Sequence, residues 1–556
     1  MNIVDLIKKQ AEKTPLKKAV IFPSGQDRYG RYAYTHYTYE AIEKDAEALA
    51  YGFRNMGIKK GTVALLFIKP SLEFPLVVFA LFKIGVIPVM IDPGMGKKNL
   101  LTAISEVKPK LLIAEPIVHG MRRLYPESFK TVDVAVTTAS FGFLAKSLKG
   151  LLKKGHSLAN QPFPAFSASE QDLAAILFTS GGTGKPKGVC YTHGIFATQV
   201  RLLKKLFNMN ELDVDMPGFP LFCLMTMAMG VTSVIPPMNP SKPSKCDPKK
   251  LYKAITDQGV TTMGGSPAIW ERLADYCIKH QLKLPSVKHL MMFGAPVPPK
   301  ILANFKQILV DGQTHTPYGA TECLPVTTIS GQEVMEGTLA KSKEGKGTCV
   351  GYPAPETEVR VIAQSSIAFE DINDCKVLEP GQIGEIIVSG KQVTPEYFGL
   401  EHQTSLAKIK DQETGRLWHR MGDLGYLDEQ GMLWFCGRKA HQIDDDASKP
   451  YYSVPCEAIF NEHPEIKRTA LINIGLEGAA RPALVVERKD HKCRLGNKKK
   501  HNFKQELLNL AQSHQHTKSI DIFFLHKSFP VDPRHNIKID RGALGKHFLQ
   551  HQELSL

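Results

Sequence analysis

The feature that most constrains this chain is a repeated change of hydrophobic period. "TYEAIEKDAEALAYGFRNMG" (38–57) places Ile42, Ala46, Leu49 and Phe53 on one helical face and stops at Gly57. "VALLFI" (63–68) is then apolar without interruption, "PLVVFALFKIG" (75–85) returns to helical length, and "VIPVMIDP" (86–93) is short and apolar again. The same order recurs over 251–294 as "LYKAITDQG", "VTTMGG", "PAIWERLADYCIKH" and "HLMMFG". A strand with no polar side must be covered on both faces, so each stretch predicts a parallel sheet between helices. Residues 347–436 differ: "EVRVIA", "GEIIVSG" and "GMLWFCG" predict short strands between Gly, Pro and acidic turns. The polar "GRKAHQIDDDASKPYY" (437–452) predicts a linker, and the residues beyond it predict a compact α+β tail. The expected fold is α/β. It has a large N-terminal domain (1–437) of two doubly wound αβα subdomains plus a small β-rich subdomain, then a small α+β C-terminal domain (438–556).

Within this frame "FTSGGTGKPKG" (178–188) predicts a loop between two strands, "LAAILF" (173–178) and "VCYTH" (189–193). It is not a Walker loop: Thr179 stands where the first glycine is needed, and Pro186 where the magnesium-binding hydroxyl should be. Nor is it a dinucleotide fingerprint, since Lys187 occupies the third glycine position. Closely spaced glycines can still turn backbone N–H groups toward one anion while lysines add charge. Taken alone, the loop reads equally well as an anion cradle and as a glycine-rich surface turn.

Charge narrows the partners. The 70 Lys and Arg against 55 Asp and Glu give a net +15, which invites polyanions, anionic membrane surfaces or phosphorylated ligands. Nucleic acid is not expected, because the lysines are scattered and no recognition-helix, zinc-finger or RNA-binding motif occurs. Ten cysteines without a C-x-x-C pair suggest neither zinc nor a disulfide framework, hence a reduced cytoplasm. The N-terminal "MNIVDLIKKQAEKTP" predicts an amphipathic helix without a signal core. The apolar runs 74–91 and 220–237 are interrupted by Lys83, Pro88 and Gly230, and predict buried helix-plus-strand units instead of membrane spans.

Several separated motifs then agree in order. "TSGGTGKPKGV" resembles the phosphate loop of the adenylate-forming superfamily, which includes acyl-CoA synthetases, peptide-synthetase adenylation domains and beetle luciferases. "FGAPVP" (293–298) is similar to its adenine-lining stretch, "PYGATE" (317–322) to Y-G-x-T-E, "GEIIVSG" (384–390) to G-E-[IL]-x-[IV]-x-G, and "HRMGDLGYLDEQG" (419–431) to the R-T-G-D motif. "GRK" (437–439) and "NIKIDR" (536–541) complete a collinear set spanning nearly the whole chain.

The resemblance implies an enzyme that joins a carboxylate to the α-phosphate of ATP, with Mg2+, and expels pyrophosphate. It implies that Thr179, Ser180, Gly181, Gly182, Thr183, Gly184 and Lys187 grip the departing phosphates. Gly294, Ala295, Pro296, Tyr318 and Gly319 would line the adenine, with Tyr318 stacked on it. Thr321 would touch the α-phosphate, and Glu322 would carry magnesium as a hard oxygen ligand. Asp423 would accept both ribose hydroxyls beside Arg438, a task needing two acceptor oxygens. Lys538 would bridge the attacking carboxylate and the α-phosphate, where charge builds in the transition state.

"FPLFCLMTMAMG" (219–230) has Pro220 where amino-acid-activating members place an aspartate, so the expected acid is fatty or alkyl-substituted. Phe222, Cys223, Met225 and Gly265 are the expected acyl contacts, within a run continued by Met227 and Met229. Acyl-CoA synthetases continue G-R-x-x-[DE]-x-I-K-x-x-G; here Ala440, Asp444 and Pro450 replace the pivot, the lysine and the glycine, which puts a coenzyme A step in doubt. "VIPPMNPSKPSKCDP", "TPYGATECLPV", "VPCEAIF" and "FPVDPRHNIK" resemble instead the β-lactone synthetases of long-chain olefin biosynthesis, which implies a 3-hydroxy acid whose own hydroxyl displaces AMP. A fatty acyl-CoA or acyl-carrier-protein ligase and a non-catalytic membrane-binding relative remain the alternatives. The partners expected are a small-molecule acyl substrate and, for a cytoplasmic protein, the inner membrane face or other enzymes of the same lipid pathway. "FGFLAKSLKGLLKKGH" (141–156) is the membrane candidate, either as a lipid-facing helix or as a solvated helix with a core face.

Overall fold

The computed structural model describes residues 2–140, 142, 144–179, 185–444, 450–475, 480–532 and 538–556. Both helix–strand alternations fold as the sequence predicts. Thr38 caps the helix Tyr39–Asn55 by accepting the Ala41 N–H, and Gly57 leaves it at φ +80°. The strand Val63–Phe67, the helix Glu73–Lys83 and the strand Ile87–Met90 come next. The first sheet runs 146–147, 134–137, 111–114, 63–67, 87–90, 173–179, 187–192, all parallel except the last pair. That antiparallel pair is the hairpin predicted around the glycine loop.

The second sheet runs 313–315, 289–292, 262–265, 214–217, 232–234, 18–26, 32–38. Its last two strands come from the N-terminus, so the chain starts one subdomain before building the other. The two units share one core, in which the buried Tyr39 donates to the carbonyls of Met227 and Val231. The β-rich unit is larger than predicted: strands 318–320 and 323–328 join it, giving eight strands. In the small unit the helix Ser453–Asn461 packs on the sheet 466–473, 482–488, 523–525.

The membrane candidate resolves toward its core-facing reading. Residues 146–147 are a strand, and the helix is Leu148–Leu158, capped by Ser147. Its apolar Leu148 and Leu151 are buried against Tyr39–Asn55. A side chain at Gly155 would meet the Ala48 carbonyl at 1.8 Å, so the two helices touch backbone to backbone. Lys146, Lys149, Lys153 and Lys154 stay exposed. No helix among the described residues is long and apolar enough to cross a membrane.

Candidate active site

The two sheets, the β-rich unit and the small unit border one cleft of about 2660 Å3. Strand ends supply most of its wall: Thr179 and Lys187 from the hairpin, Gly294, Ala295 and Pro296 after the strand His289–Met292, and Tyr318, Gly319, Thr321 and Glu322 around the next turn. Asp423, Arg438 and Lys538 also line it. Ser180, Gly181, Gly182, Thr183 and Gly184 lie outside the described residues.

Asp423 and Arg438 face each other across the antiparallel strands Leu417–Leu427 and Leu433–Arg438. Asp423 is 2% exposed; Tyr318 Oη donates to its Oδ2 at 2.6 Å, and Arg438 Nη1 lies 2.9 Å from Oδ1. Burial pushes this carboxyl above its ordinary range, against the pull of Arg438 and the Tyr318 hydroxyl. Oδ1 accepts no well-aligned hydrogen bond from the described residues, which leaves a buried acceptor beside an arginine for ligand hydroxyls. Tyr318, expected to stack on a base, is anchored by its hydroxyl, with its ring 6.1 Å from that of Phe435.

Glu322 is fixed at both ends. Thr394 donates its N–H (2.9 Å) and its hydroxyl (3.0 Å) to the Glu322 carbonyl, and Tyr397 Oη donates to Oε1 at 2.8 Å. The Thr321 carbonyl accepts the Tyr191 hydroxyl at 2.6 Å, and Lys187 Nζ sits 4.7 Å from the Tyr397 ring centre. Sequence reasoning missed Thr394, Tyr397 and Tyr191; "TPEY" (394–397), polar residues after a buried strand, was the available signal. Among the described residues no three acids, histidines or cysteines gather as a metal cage. Glu322 suits magnesium held by one carboxylate plus substrate phosphates, as that ion prefers.

At the other end, Phe219, Phe222 and Phe293 form an aromatic wall, with ring centres 5.1–6.4 Å apart, continued by Met225, Met291 and Met292. Two residues expected here lie off the cleft wall. Cys223 is buried on the far side of the helix Leu221–Ala228, beside Phe74 and Ile235, and Gly265 packs on the Gly218 Cα, 3.2 Å from where its Cβ would stand. The helical and strand periods explain both: Phe222, Met225 and Thr226 share a face that Cys223 and Met227 do not, and Gly264 is the residue turned to the cleft. Met227 and Met229 are core residues. Asp215, unforeseen, also lines this end; its Oδ1 accepts from Thr262 at 2.9 Å, and burial pushes its carboxyl up to about 7.

Lys538 is exposed on a turn closed by its own backbone: its N–H donates to Asp532 Oδ1, and the Asp532 N–H to its carbonyl, both at 3.0 Å. Three residues on, Arg541 grips the buried Glu457 with contacts down to 2.7 Å, tying that turn to the helix Ser453–Asn461. The segment expected to pivot holds Ala440 in a short helix, Lys439–His441, whose first residue reaches Glu385 at 2.9 Å; Asp444 and Pro450 pair as a two-rung hairpin.

Known proteins are similar to this chain in sequence and in fold. A family model described as AMP-binding enzyme matches residues 7–398. The chain is 39% identical to an olefin β-lactone synthetase of Xanthomonas campestris pv. campestris, over 98% of this chain and 96% of that protein. It is 40% identical to the olefin β-lactone synthetase of Stenotrophomonas maltophilia, over 91% and 90%. The solved amide bond synthetase of Marinactinospora thermotolerans superposes with a TM-score of 0.78 over 98% of this chain and 99% of that one, at 18% identity, a likeness of fold.

Proposed function

The chain belongs to the family of AMP-binding enzymes, and from that premise we propose that it activates a 3-hydroxy fatty acid with ATP and closes it to a β-lactone. The observation that carries this reading is one cleft with a buried, acceptor-bearing Asp423 at one end and an apolar Phe and Met wall at the other.

A carboxylate oxygen of the acid attacks the α-phosphorus of ATP, and the bond to pyrophosphate breaks. Asp423 and Arg438 hold the ribose, Thr321 lies against the α-phosphate, and Lys187 and the glycine loop take the departing phosphates. Glu322 would hold magnesium, which would supply charge neutralisation to those phosphates. Lys538 offsets the negative charge that builds between carboxylate and phosphate. The 3-hydroxyl oxygen then bonds to the carbonyl carbon as the acyl–oxygen bond to AMP breaks, and the hydroxyl proton passes to solvent. Holding both groups on one substrate makes the step unimolecular, with effective molarities on the order of 10⁵ M or more.

In this reading residues 438–556 form a unit that moves on residues 1–437 and brings Lys538 to the site. The exposed lysines of the helix Leu148–Leu158 and the net +15 support peripheral contact with anionic lipid through charge, without an apolar insert. The test is mass spectrometry of products from a 3-hydroxy fatty acid, ATP and magnesium without coenzyme A. AMP, pyrophosphate and a β-lactone are expected, and the acid lacking the hydroxyl should stall as bound adenylate. Rapid acyl-CoA formation from both acids once coenzyme A is added, with no lactone from either, would make the chain an acyl-CoA ligase.

A further inference from the structure

Among the described residues two lysines are buried, and they are treated differently. Lys83 is 2% exposed and has Glu43 Oε1 at 2.6 Å and Glu47 Oε1 at 3.7 Å. Lys408 is 7% exposed and makes no ion pair among the described residues; its Nζ donates to Thr394 Oγ1 at 3.3 Å. A buried ammonium without a carboxylate partner is costly, and a chain keeps one for a reason other than stability.

Two neighbours of Lys408 connect it to the cleft. Thr394, its acceptor, donates its own hydroxyl to the Glu322 carbonyl. Burial lowers the ammonium to about 8, and the Glu322 carboxylate is the main group that opposes this by favouring its charge. Across the ladder it pairs with His419, which lines the cleft. The His419 ring bonds through Nδ1 to the Ala407 carbonyl at 3.1 Å, and burial, with Lys408 and Lys187 nearby, holds it well below its ordinary value and so neutral. Lys187 and Glu322 line the cleft here, and Lys408 is a buried cation next to two further lining residues, Ala407 in the chain and His419 across the ladder.

Resting on the proposed adenylation, we infer that Lys408 is a positioning residue of the pyrophosphate subsite: an internal cation that acts through Thr394 and Glu322 and draws its counter-charge from the polyphosphate. In the ligand-free protein it has no ion-pair partner among the described residues; bound polyphosphate would compensate it. Affinity is gained where stability is given up.

The experiment measures two quantities on the full chain: pyrophosphate affinity by calorimetry, with no acid present, and melting temperature. Lys408→Met should weaken pyrophosphate binding by about tenfold and raise KM for ATP similarly. KM for the acid should hold, and the melting temperature should stay level or rise, because an apolar replacement of a buried charge is commonly neutral or stabilising. A structural lysine gives the opposite pattern, with a lower melting temperature and unchanged pyrophosphate affinity, and that result overturns the inference. So does failure of both Lys408→Met and Lys408→Gln to fold, since the ammonium would then serve the fold. Pyrophosphate binding needs no acyl substrate, so a wild-type protein that makes no lactone refutes the proposed product without touching this result.

Discussion

The two ends of the cleft are built from different materials. At the nucleotide end, Asp423, Glu322 and Thr321 are each held by named partners at 2.6–3.0 Å: Tyr318, Arg438, Tyr397, Thr394 and Tyr191. At the acyl end, Phe219, Phe222 and Phe293 meet one another and a set of methionines by contact alone. Directional bonds fix atoms to fractions of an ångström, which chemistry on a phosphate requires. Dispersion contacts with flexible thioethers fix only volume, and they re-form around a different chain. In the proposed reaction, catalysis and chain selection should therefore be separable, each open to being broken without the other.

The largest break is expected at Lys538. Lys538→Ala should lower the rate of adenylate formation by about 10²–10³ or more, because the lysine meets charge that exists mainly in the transition state. ATP binding, read by calorimetry, should hardly change; near-normal pyrophosphate release from this variant would remove Lys538 from the mechanism. The acyl end should answer in the opposite currency. Phe222→Ala opens volume in the aromatic wall and should shift kcat/KM toward longer or branched chains by roughly tenfold, the scale of one or two methylenes in a pocket. Its ATP KM should stay put, and an equal loss for every acid would show that this wall does not select.

The smallest expected effect sharpens the comparison, because it concerns a buried carboxylate lining the apolar end. Asp215 titrates near 7 when folded, above the 3.8 of a free aspartate. A raised carboxylate contributes stability that is present below the unfolded value and lost as pH rises through the folded one. Asp215→Asn should match the parent near pH 4 and melt about 2–5 °C higher at pH 8. A variant that melts lower at pH 8 would show that the ionised form is held by the Thr262 bond and is needed.

How much of this could be read from the chain depends on the range of the interaction. The alternation over 38–92 and 251–294 is local, and every helix and strand predicted there is present. The cleft motifs are backbone turns whose residues sit within a few positions of each other, so their order alone brought the nucleotide residues together. What escaped was long-range or a matter of phase. No local signal places the strand Lys18–Gln26 in the second sheet, 214 residues from its partner Thr232. Glu322 meets Tyr397 across 75 residues, and only the folded β-rich unit sets that distance. Cys223 and Gly265 lie off the cleft wall for a simpler reason: each stands next to a residue that lines it, and one step along a helix or strand faces the other way.

The rung formed by Asp423 and Arg438 has a consequence for engineering this chain. The two residues are direct cross-strand partners, and an irregularity in the pairing between Leu424 and Gly425 sets their phase relative to the turn at 428–431. The turn can grow without moving the rung, whereas one residue added inside either strand would swing Asp423 or Arg438 to the opposite face. A peptide graft or dye-bearing cysteine after the exposed Glu429 should therefore be tolerated. Arg438 is also where the strand ends, so such a label would sit on the N-terminal side of the proposed boundary between the two units. Paired with a second label on the helix Arg541–Gln550, it would report as an optical distance whether the small unit moves while the enzyme turns over.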